Sequence, residues 1–219
     1  HGVAIPAVGL GTWPLKGAEC ETAVHAALDG GYRHIDTAAM YRNEAEVGAA
    51  LTTAALPRAD VFVITKVANT DQGYDSTLRA YEASCRRLNL DFVDLYLVHW
   101  PVSGLRRETW RAMEKLYADG AVRAIGVCNY LSPFLREMDE YAGITPALNQ
   151  CEITPYHFLK DLIIDCQTRS IQLQAWSPLL RGKRFNDPKL QAMAHKYGKT
   201  PAQILLRWAL DHGISTIPK

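Results

Sequence analysis

Strand-length apolar runs alternate with helix-length segments along the whole 219-residue chain. The eight runs are Val8–Thr12, His34–Thr37, Val61–Lys66, Leu95–His99, Ala124–Asn129, Ala147–Cys151, Gln172–Ser177 and Ile214–Pro218. Such strict alternation demands parallel strands joined by right-handed helical crossovers. Eight units of this kind close into a cylinder more readily than they stack as an open sheet. The sequence therefore predicts an α/β fold, a (β/α)8 TIM barrel.

Helix boundaries are marked where a capping residue precedes a proline at the first helical position. Three such pairs occur: Ser132-Pro133, Asp187-Pro188 and Thr200-Pro201. The last two predict two helices before the final strand, one more than the alternation needs. No linker or change of composition divides the chain, so we predict a single barrel domain over residues 1–219.

Charge and cysteine usage exclude several classes of protein. Lys and Arg number 24 against 23 Asp and Glu, and no apolar run is long enough to span a bilayer. We therefore expect neither nucleic acid nor a membrane as partner. The five cysteines form no C-x-x-C pair, and no Cys/His cluster has zinc spacing, so we expect a reducing, cytoplasmic location and no metal.

Ionisable side chains lie at the ends of three consecutive predicted strands. Asp36 and Tyr41 follow the second strand, Lys66 ends the third and His99 ends the fourth. Catalytic groups of α/β barrels lie at these carboxyl ends, so the four side chains are expected to converge. A neighbouring ammonium would make the tyrosine proton easier to give, with Asp36 holding Lys66 and His99 steering a carbonyl oxygen.

Each of these residues also has an ordinary structural explanation. Lysines that follow strands are commonly solvated, and a histidine in an apolar strand is commonly part of the core. Asp36 can cap a turn, and Tyr41 can lie on the surface. Only their joint placement at strand ends favours a catalytic site.

Several longer motifs resemble the aldo-keto reductase superfamily in their order along the chain. They are Gly9–Trp13, Asp36–Glu44, Thr65-Lys66, Val93–Pro101, Ala124–Asn129, Asn149-Gln150, Ala175–Leu179 and Ile217–Lys219. The resemblance implies NADPH-dependent reduction of aldehydes or ketones, with Tyr41 as general acid and Asp36, Lys66 and His99 completing a tetrad. The branch most similar includes bacterial diketogluconate reductases and trypanosomatid prostaglandin F synthases.

The same resemblance implies the ligand-binding residues. Contacts to NADPH are expected from Thr12, Asn129, Gln150, Trp176, Ser177, Leu179 and Lys219, and walls for a carbonyl substrate from Trp13 and Trp100. Asn129 and Gln150 would bind the nicotinamide carboxamide, while Trp176 would stack on the ring. Core packing of Trp176 and a frayed end at Lys219 are the structural alternatives. Gly9-Leu10-Gly11 lacks the third glycine of a Rossmann fingerprint, which argues against that kind of site.

Three features depart from the resemblance. Cys128 replaces the usual serine before Asn129, and the connection around Ser103–Leu105 is short. The family also continues beyond Lys219 with a final helix and tail, so we expect the chain to be incomplete at both ends. A barrel built from these residues alone is expected to expose the edges of its first and last strands.

Two alternative functions remain open at this point. One is a lyase that forms a Schiff base on Lys66, which requires a neutral amine and is disfavoured by Asp36. The other is an accessory subunit that binds NADPH without turnover. A monomer is the commoner condition of the family and is our expectation.

Overall fold

The computed structural model describes residues 1–219 and contains eight strands and eight α-helices. One α-helix separates each pair of successive strands except the last pair, which is separated by two, as the sequence predicts. The strands are β1 (Leu10–Gly11), β2 (His34–Asp36), β3 (Phe62–Val67), β4 (Val93–Val98), β5 (Val122–Cys128), β6 (Leu148–Glu152), β7 (Gln172–Trp176) and β8 (Ser215–Thr216). The helices are α1 (Gly17–Asp29), α2 (Glu44–Thr53), α3 (Tyr74–Leu88), α4 (Arg106–Ala118), α5 (Ser132–Met138), α6 (Lys160–Thr168), α7 (Pro188–Tyr197) and α8 (Pro201–Asp211).

All neighbouring strands pair in parallel, in the order β1 to β8. The two ends of the sheet also meet, because the Gly9 amide donates to the Thr216 carbonyl at 2.8 Å and the Thr216 amide donates to Ala7 at 2.8 Å. The predicted (β/α)8 barrel is confirmed. The expectation of exposed first and last edges is wrong, since these backbone groups are paired with each other.

The first and last strands are shorter than predicted. The run Val8–Thr12 contributes only β1, Leu10–Gly11, and Ile214–Pro218 contributes only β8, Ser215–Thr216. Pro218 has no amide proton with which to extend the ladder. Its carbonyl still accepts the Gly11 amide proton at 2.9 Å, which continues the closure towards the cavity end of the barrel.

Two apolar layers hold the barrel. A cluster of seven side chains fills its interior: Phe62, Ile64, Leu95, Leu97, Ala124, Cys128 and Leu148. Alternate residues of the same strands, such as Val63 and Tyr96, point outwards into a second cluster of 36 residues against the helices. Polar side chains on the inward face therefore stand out as candidates for function.

Two of the three predicted helix caps are formed by the side chain. The Asp187 carboxylate accepts from the amides of Lys189 and Leu190 at the start of α7. Thr200 forms a reciprocal capping box with Gln203 at the start of α8. Ser132 is itself the first residue of α5 and makes no such bond, so that predicted cap is wrong. None of the eight helices is long and apolar enough to cross a membrane.

Candidate active site

A cavity of about 750 Å³ opens at the carboxyl ends of the strands. Eleven of the thirteen predicted site residues line it: Trp13, Asp36, Tyr41, His99, Trp100, Asn129, Gln150, Trp176, Ser177, Leu179 and Lys219. Lys66 lies buried behind Tyr41 and Asp36, and Thr12 lies outside the lining. The predicted residues therefore converge on one end of the barrel, as the strand-end rule requires.

Lys66 is the next-to-last residue of β3, near its carboxyl end, and is completely buried. Its Nζ donates to Asp36 Oδ1 at 2.6 Å, to the Thr37 carbonyl at 2.8 Å and to the Tyr41 hydroxyl at 3.4 Å. An ammonium has three protons, and each has an acceptor here. The phenol, the ammonium and the carboxylate thus form a continuous hydrogen-bonded row.

Lys66 is held in its charged form. Burial acts to lower the pKa of the amine, but the Asp36 carboxylate together with Tyr41 and Cys128 raises that pKa above its ordinary value. Because a nucleophilic amine must be neutral, this environment opposes Schiff-base formation.

Two opposing effects act on the pKa of Tyr41. Burial raises the pKa of the phenol to about 12, and the lowering effect of the Lys66 ammonium is smaller. The lowering effect predicted for Lys66 is present, but burial outweighs it in the protein without ligand, and spacing along the sequence carries no information on desolvation. At neutral pH the phenol keeps its proton and can donate it.

His99 is a neutral imidazole next to this phenol. Burial and the Lys66 charge lower the pKa of His99 to about 3, and its ring meets the Tyr41 ring edge-on with centroids 5.5 Å apart. The Nδ1 atom is buried without a hydrogen-bond partner. A neutral imidazole can donate only one hydrogen bond, which suits it to orient a carbonyl oxygen rather than to supply charge.

The loop that carries Tyr41 is anchored by a buried asparagine. Tyr41 ends a 3-10 turn, Ala39–Tyr41, directly after β2. The Asn43 side chain accepts from Thr37 Oγ1 at 2.7 Å and donates to the carbonyls of Thr12 and Leu15 at 3.1 and 3.0 Å. These bonds tie the Tyr41 loop to the loop after β1.

Thr12 has a structural partner. Its hydroxyl donates to the Asp36 carbonyl at 2.9 Å, and the side chain is buried. Cys128 is buried in the barrel interior, with its Sγ 3.9 Å from Gln150 Oε1. Neither side chain lines the cavity. At the cavity rim, Trp13 and Trp100 are 47% and 43% exposed.

Two amide side chains and an indole lie on the far wall of the cavity. Asn129, in a left-handed conformation with φ of 61°, donates to the His99 carbonyl at 3.0 Å and accepts from Trp176 Nε1 at 3.0 Å. Gln150 Nε2 donates to Asp36 Oδ2 and to Gln174 Oε1, both at 2.7 Å. Asn129 and Gln150 are thus coupled to the catalytic candidates before any ligand binds.

Sequence reasoning missed two residues at this site. The Arg181 guanidinium lies 4.8 Å from the centre of the Trp13 ring, and both residues line the cavity. Gln174 is buried below the cavity against Gln150. The sequence did contain a signal for Gln174. It lies two residues before Trp176, and alternate residues of a strand share a face.

The two buried histidines make stability depend on pH. Burial lowers the pKa of His34 to about 4 and that of His99 to about 3. The unfolded chain binds a proton at each histidine below about pH 6.5, while the folded chain stays neutral, so stability falls as pH falls below that value. Between about pH 6.5 and pH 5 we expect each to lower the unfolding free energy by about 2 kcal/mol.

Urea unfolding at several pH values between about 6.5 and 5 measures how steeply the unfolding free energy depends on pH. His34→Gln is expected to remove about half of the histidine contribution, whereas His195→Gln, at an exposed position on α7, leaves it intact. An equal slope in the wild type and His34→Gln would contradict the assignment.

The barrel and its strand-end site define the class of this protein. A sequence profile of the aldo/keto reductase family matches residues 7–219. The chain belongs to that family, whose members are oxidoreductases that act on small carbonyl compounds.

Individual relatives agree with this class. The chain is 46% identical over 220 residues to a glyoxal reductase of Bacillus subtilis, covering 100% of this chain and 80% of that protein. It is 44% identical over 223 residues to a 9,11-endoperoxide prostaglandin H2 reductase of Trypanosoma cruzi, covering 100% and 79%. It is also similar to a crystal structure of a Gox0644 mutant in complex with NADPH, with a TM-score of 0.92, 40% identity and coverage of 98% and 79%.

Proposed function

We propose that this protein reduces aldehydes and ketones to alcohols with NADPH, using Tyr41 as the proton donor. The observation that carries the proposal is the buried row in which Lys66 Nζ reaches both Asp36 Oδ1 and the Tyr41 hydroxyl at the base of the cavity. The three groups act differently, because the phenol holds a proton, the ammonium stabilises the negative charge left behind, and the carboxylate keeps the ammonium charged.

The hydrogen-bonding capacity left in the site fits a nicotinamide carboxamide. Gln150 donates both of its Nε2 protons, to Asp36 and to Gln174. The group that it can offer to a ligand is therefore its Oε1 oxygen, which accepts a hydrogen bond. Asn129 Nδ2 uses one proton on the His99 carbonyl and retains the second. A primary carboxamide offers both a donor and an acceptor, which matches this pair. Trp176 supplies an indole surface at the same wall.

NADPH, when bound, supplies the hydride that reduces the carbonyl carbon. Tyr41 then gives its hydroxyl proton to the carbonyl oxygen, the O–H bond of the phenol breaks, and its electron pair stays on the tyrosine oxygen. Lys66 stabilises that phenolate until solvent returns a proton. His99, neutral at physiological pH, donates a hydrogen bond that orients the same oxygen.

Cationic side chains at the cavity rim favour NADPH over NADH. Lys219 and Arg181 both line the cavity, beside Ser177 and Leu179. We propose that Ser177 and Leu179 contact the pyrophosphate and that Lys219 binds the 2′-phosphate, which only NADPH carries. Thr12 would contribute to cofactor binding indirectly, because its hydroxyl holds the end of β2.

Trp13 and Trp100 are proposed to enclose the substrate. Their exposed rings form an aromatic rim, which suits small dicarbonyls of the kind named for the glyoxal reductase relative as well as aromatic aldehydes. All five cysteines are free, and free thiols are typical of proteins in a reducing compartment such as the cytoplasm. We propose that the protein acts there as a monomer.

The test is a panel of carbonyl compounds, including glyoxal, methylglyoxal and aromatic aldehydes, with NADPH and NADH measured side by side. We expect loss of absorbance of the reduced nicotinamide, faster with NADPH, and formation of the alcohol. Borohydride trapping of a carbonyl substrate on Lys66 would instead establish a lyase. NADPH binding without turnover on every compound would establish a non-catalytic accessory subunit.

A further inference from the structure

A row of hydrogen-bonded polar side chains crosses the barrel interior beneath the cavity. Lys66 and Gln150 donate to the two different oxygens of Asp36, at 2.6 and 2.7 Å. Gln150 also donates to Gln174 Oε1 at 2.7 Å, and β6 and β7 place these two glutamines directly opposite each other. All four side chains are buried. The row therefore joins the ammonium on β3 to β7, on the other side of the barrel.

The direction of every hydrogen bond in this row is determined by the carboxylate. Asp36 can only accept, so Gln150 must turn its Nε2 towards Asp36. The second Nε2 proton then meets Gln174, which must present its Oε1. Gln174 Nε2 is left buried without a partner. Because an unpaired buried donor is unfavourable, its presence indicates that orienting Gln150 takes precedence over satisfying Gln174.

We propose that Gln174 is a positioning residue, which holds the Gln150 amide so that its nitrogen stays on Asp36 and its oxygen stays available to the cofactor. The proposal rests on the function proposed above. Gln174 itself lies outside the cavity lining, and its only side-chain hydrogen bond is the one that it accepts from Gln150.

Loss of the Gln174 acceptor would release one side of the Gln150 amide. The amide could then rotate away from Asp36, and less of the carboxylate charge would be compensated. The additional negative charge near Tyr41 would raise the pKa of its phenol and make it a weaker acid. The rate of proton donation would fall, and the alkaline limb of the pH–rate profile would move to higher pH.

The test compares three variants. Gln174→Met keeps the side-chain length but removes the acceptor, while Gln174→Glu keeps an acceptor oxygen in either protonation state. Gln172→Met makes the same change two residues earlier on β7, where the glutamine bonds only to the carbonyls of Leu173 and Gly213. We expect kcat to fall about tenfold in Gln174→Met, with KM for the carbonyl unchanged. Gln174→Glu should recover most of kcat, and Gln172→Met should match the wild type.

Hydrogen exchange provides a second readout that needs no cofactor. The side-chain amide signals of Gln150 are assigned by their loss in Gln150→Glu. In the ligand-free wild type, both of these protons should exchange with solvent at least about tenfold more slowly than the side-chain amide protons of exposed glutamines. Gln174→Met should abolish this protection, and Gln174→Glu should retain it.

The proposal is overturned if Gln174→Met keeps the protection, if Gln172→Met loses as much kcat, or if Gln174→Glu recovers neither property. If Gln174→Met fails to fold, the wild type and Gln174→Glu still test the proposal. Rapid exchange of the Gln150 side-chain amide in the wild type would overturn it. Slow exchange in both proteins would support it. A wild type that reduces no carbonyl compound contradicts the proposed function alone, because the exchange experiment still tests Gln174.

Discussion

Tyr41→Phe is expected to lower kcat for carbonyl reduction by about 10² to 10⁴, the usual contribution of a positioned general acid. The change removes one oxygen atom and leaves Lys66 its two other acceptors, Asp36 and the Thr37 carbonyl. The barrel should therefore fold normally, and the cavity should still bind NADPH. Steady-state kinetics with NADPH and an aromatic aldehyde measures the loss.

Cofactor binding provides the control for this variant. Quenching of tryptophan fluorescence by NADPH should be similar in the wild type and Tyr41→Phe, because Trp176 and the amides of Asn129 and Gln150 are unchanged. A variant that retains more than about a tenth of the wild-type kcat would show that another group donates the proton.

Lys66→Met is expected to affect both folding and turnover. It leaves the Asp36 carboxylate buried without its counter-charge, and breaking a buried ion pair in this way typically costs about 3–5 kcal/mol. Turnover should fall at least as far as in Tyr41→Phe, because no cation remains to stabilise the phenolate. Urea unfolding and steady-state kinetics measure the two losses separately.

The double variant Asp36→Asn/Lys66→Met separates charge from structure. It removes both members of the pair, so most of the lost unfolding free energy should return while kcat stays low. Recovery of activity in the double variant would contradict the role given to Lys66. A double variant less stable than Lys66→Met would contradict the burial argument.

Much of the site could be predicted from the sequence because its residues lie at the ends of strands. Asp36 and Lys66 belong to inward-facing positions of β2 and β3, and His99 immediately follows β4, so the barrel brings the three together whatever the details of packing. Tyr41 is less directly determined, since a 3-10 turn after β2 must bring its ring back over the cavity.

Other properties depend on burial and on long-range partners. The raised pKa of Tyr41 follows from desolvation, which outweighs the Lys66 charge and cannot be obtained from spacing along the chain. The bond between Gln150 and Asp36 joins residues 114 positions apart, so only the closed barrel reveals it. Closure of the barrel by the Gly9 and Thr216 backbones likewise depends on how the sheet curves.

Deuterium transfer from NADPH tests whether the protein reduces a carbonyl carbon with a nicotinamide hydride and a proton from Tyr41. The protein is incubated with an aromatic aldehyde and NADPH deuterated on one face of nicotinamide C4, with each face labelled in turn, and the alcohol is analysed by mass spectrometry and NMR. We expect one deuterium on the carbinol carbon from only one of the two faces, and loss of this product in Tyr41→Phe although NADPH still binds. Alcohol that carries no deuterium from either face, or equal labelled product from Tyr41→Phe, would contradict this mechanism.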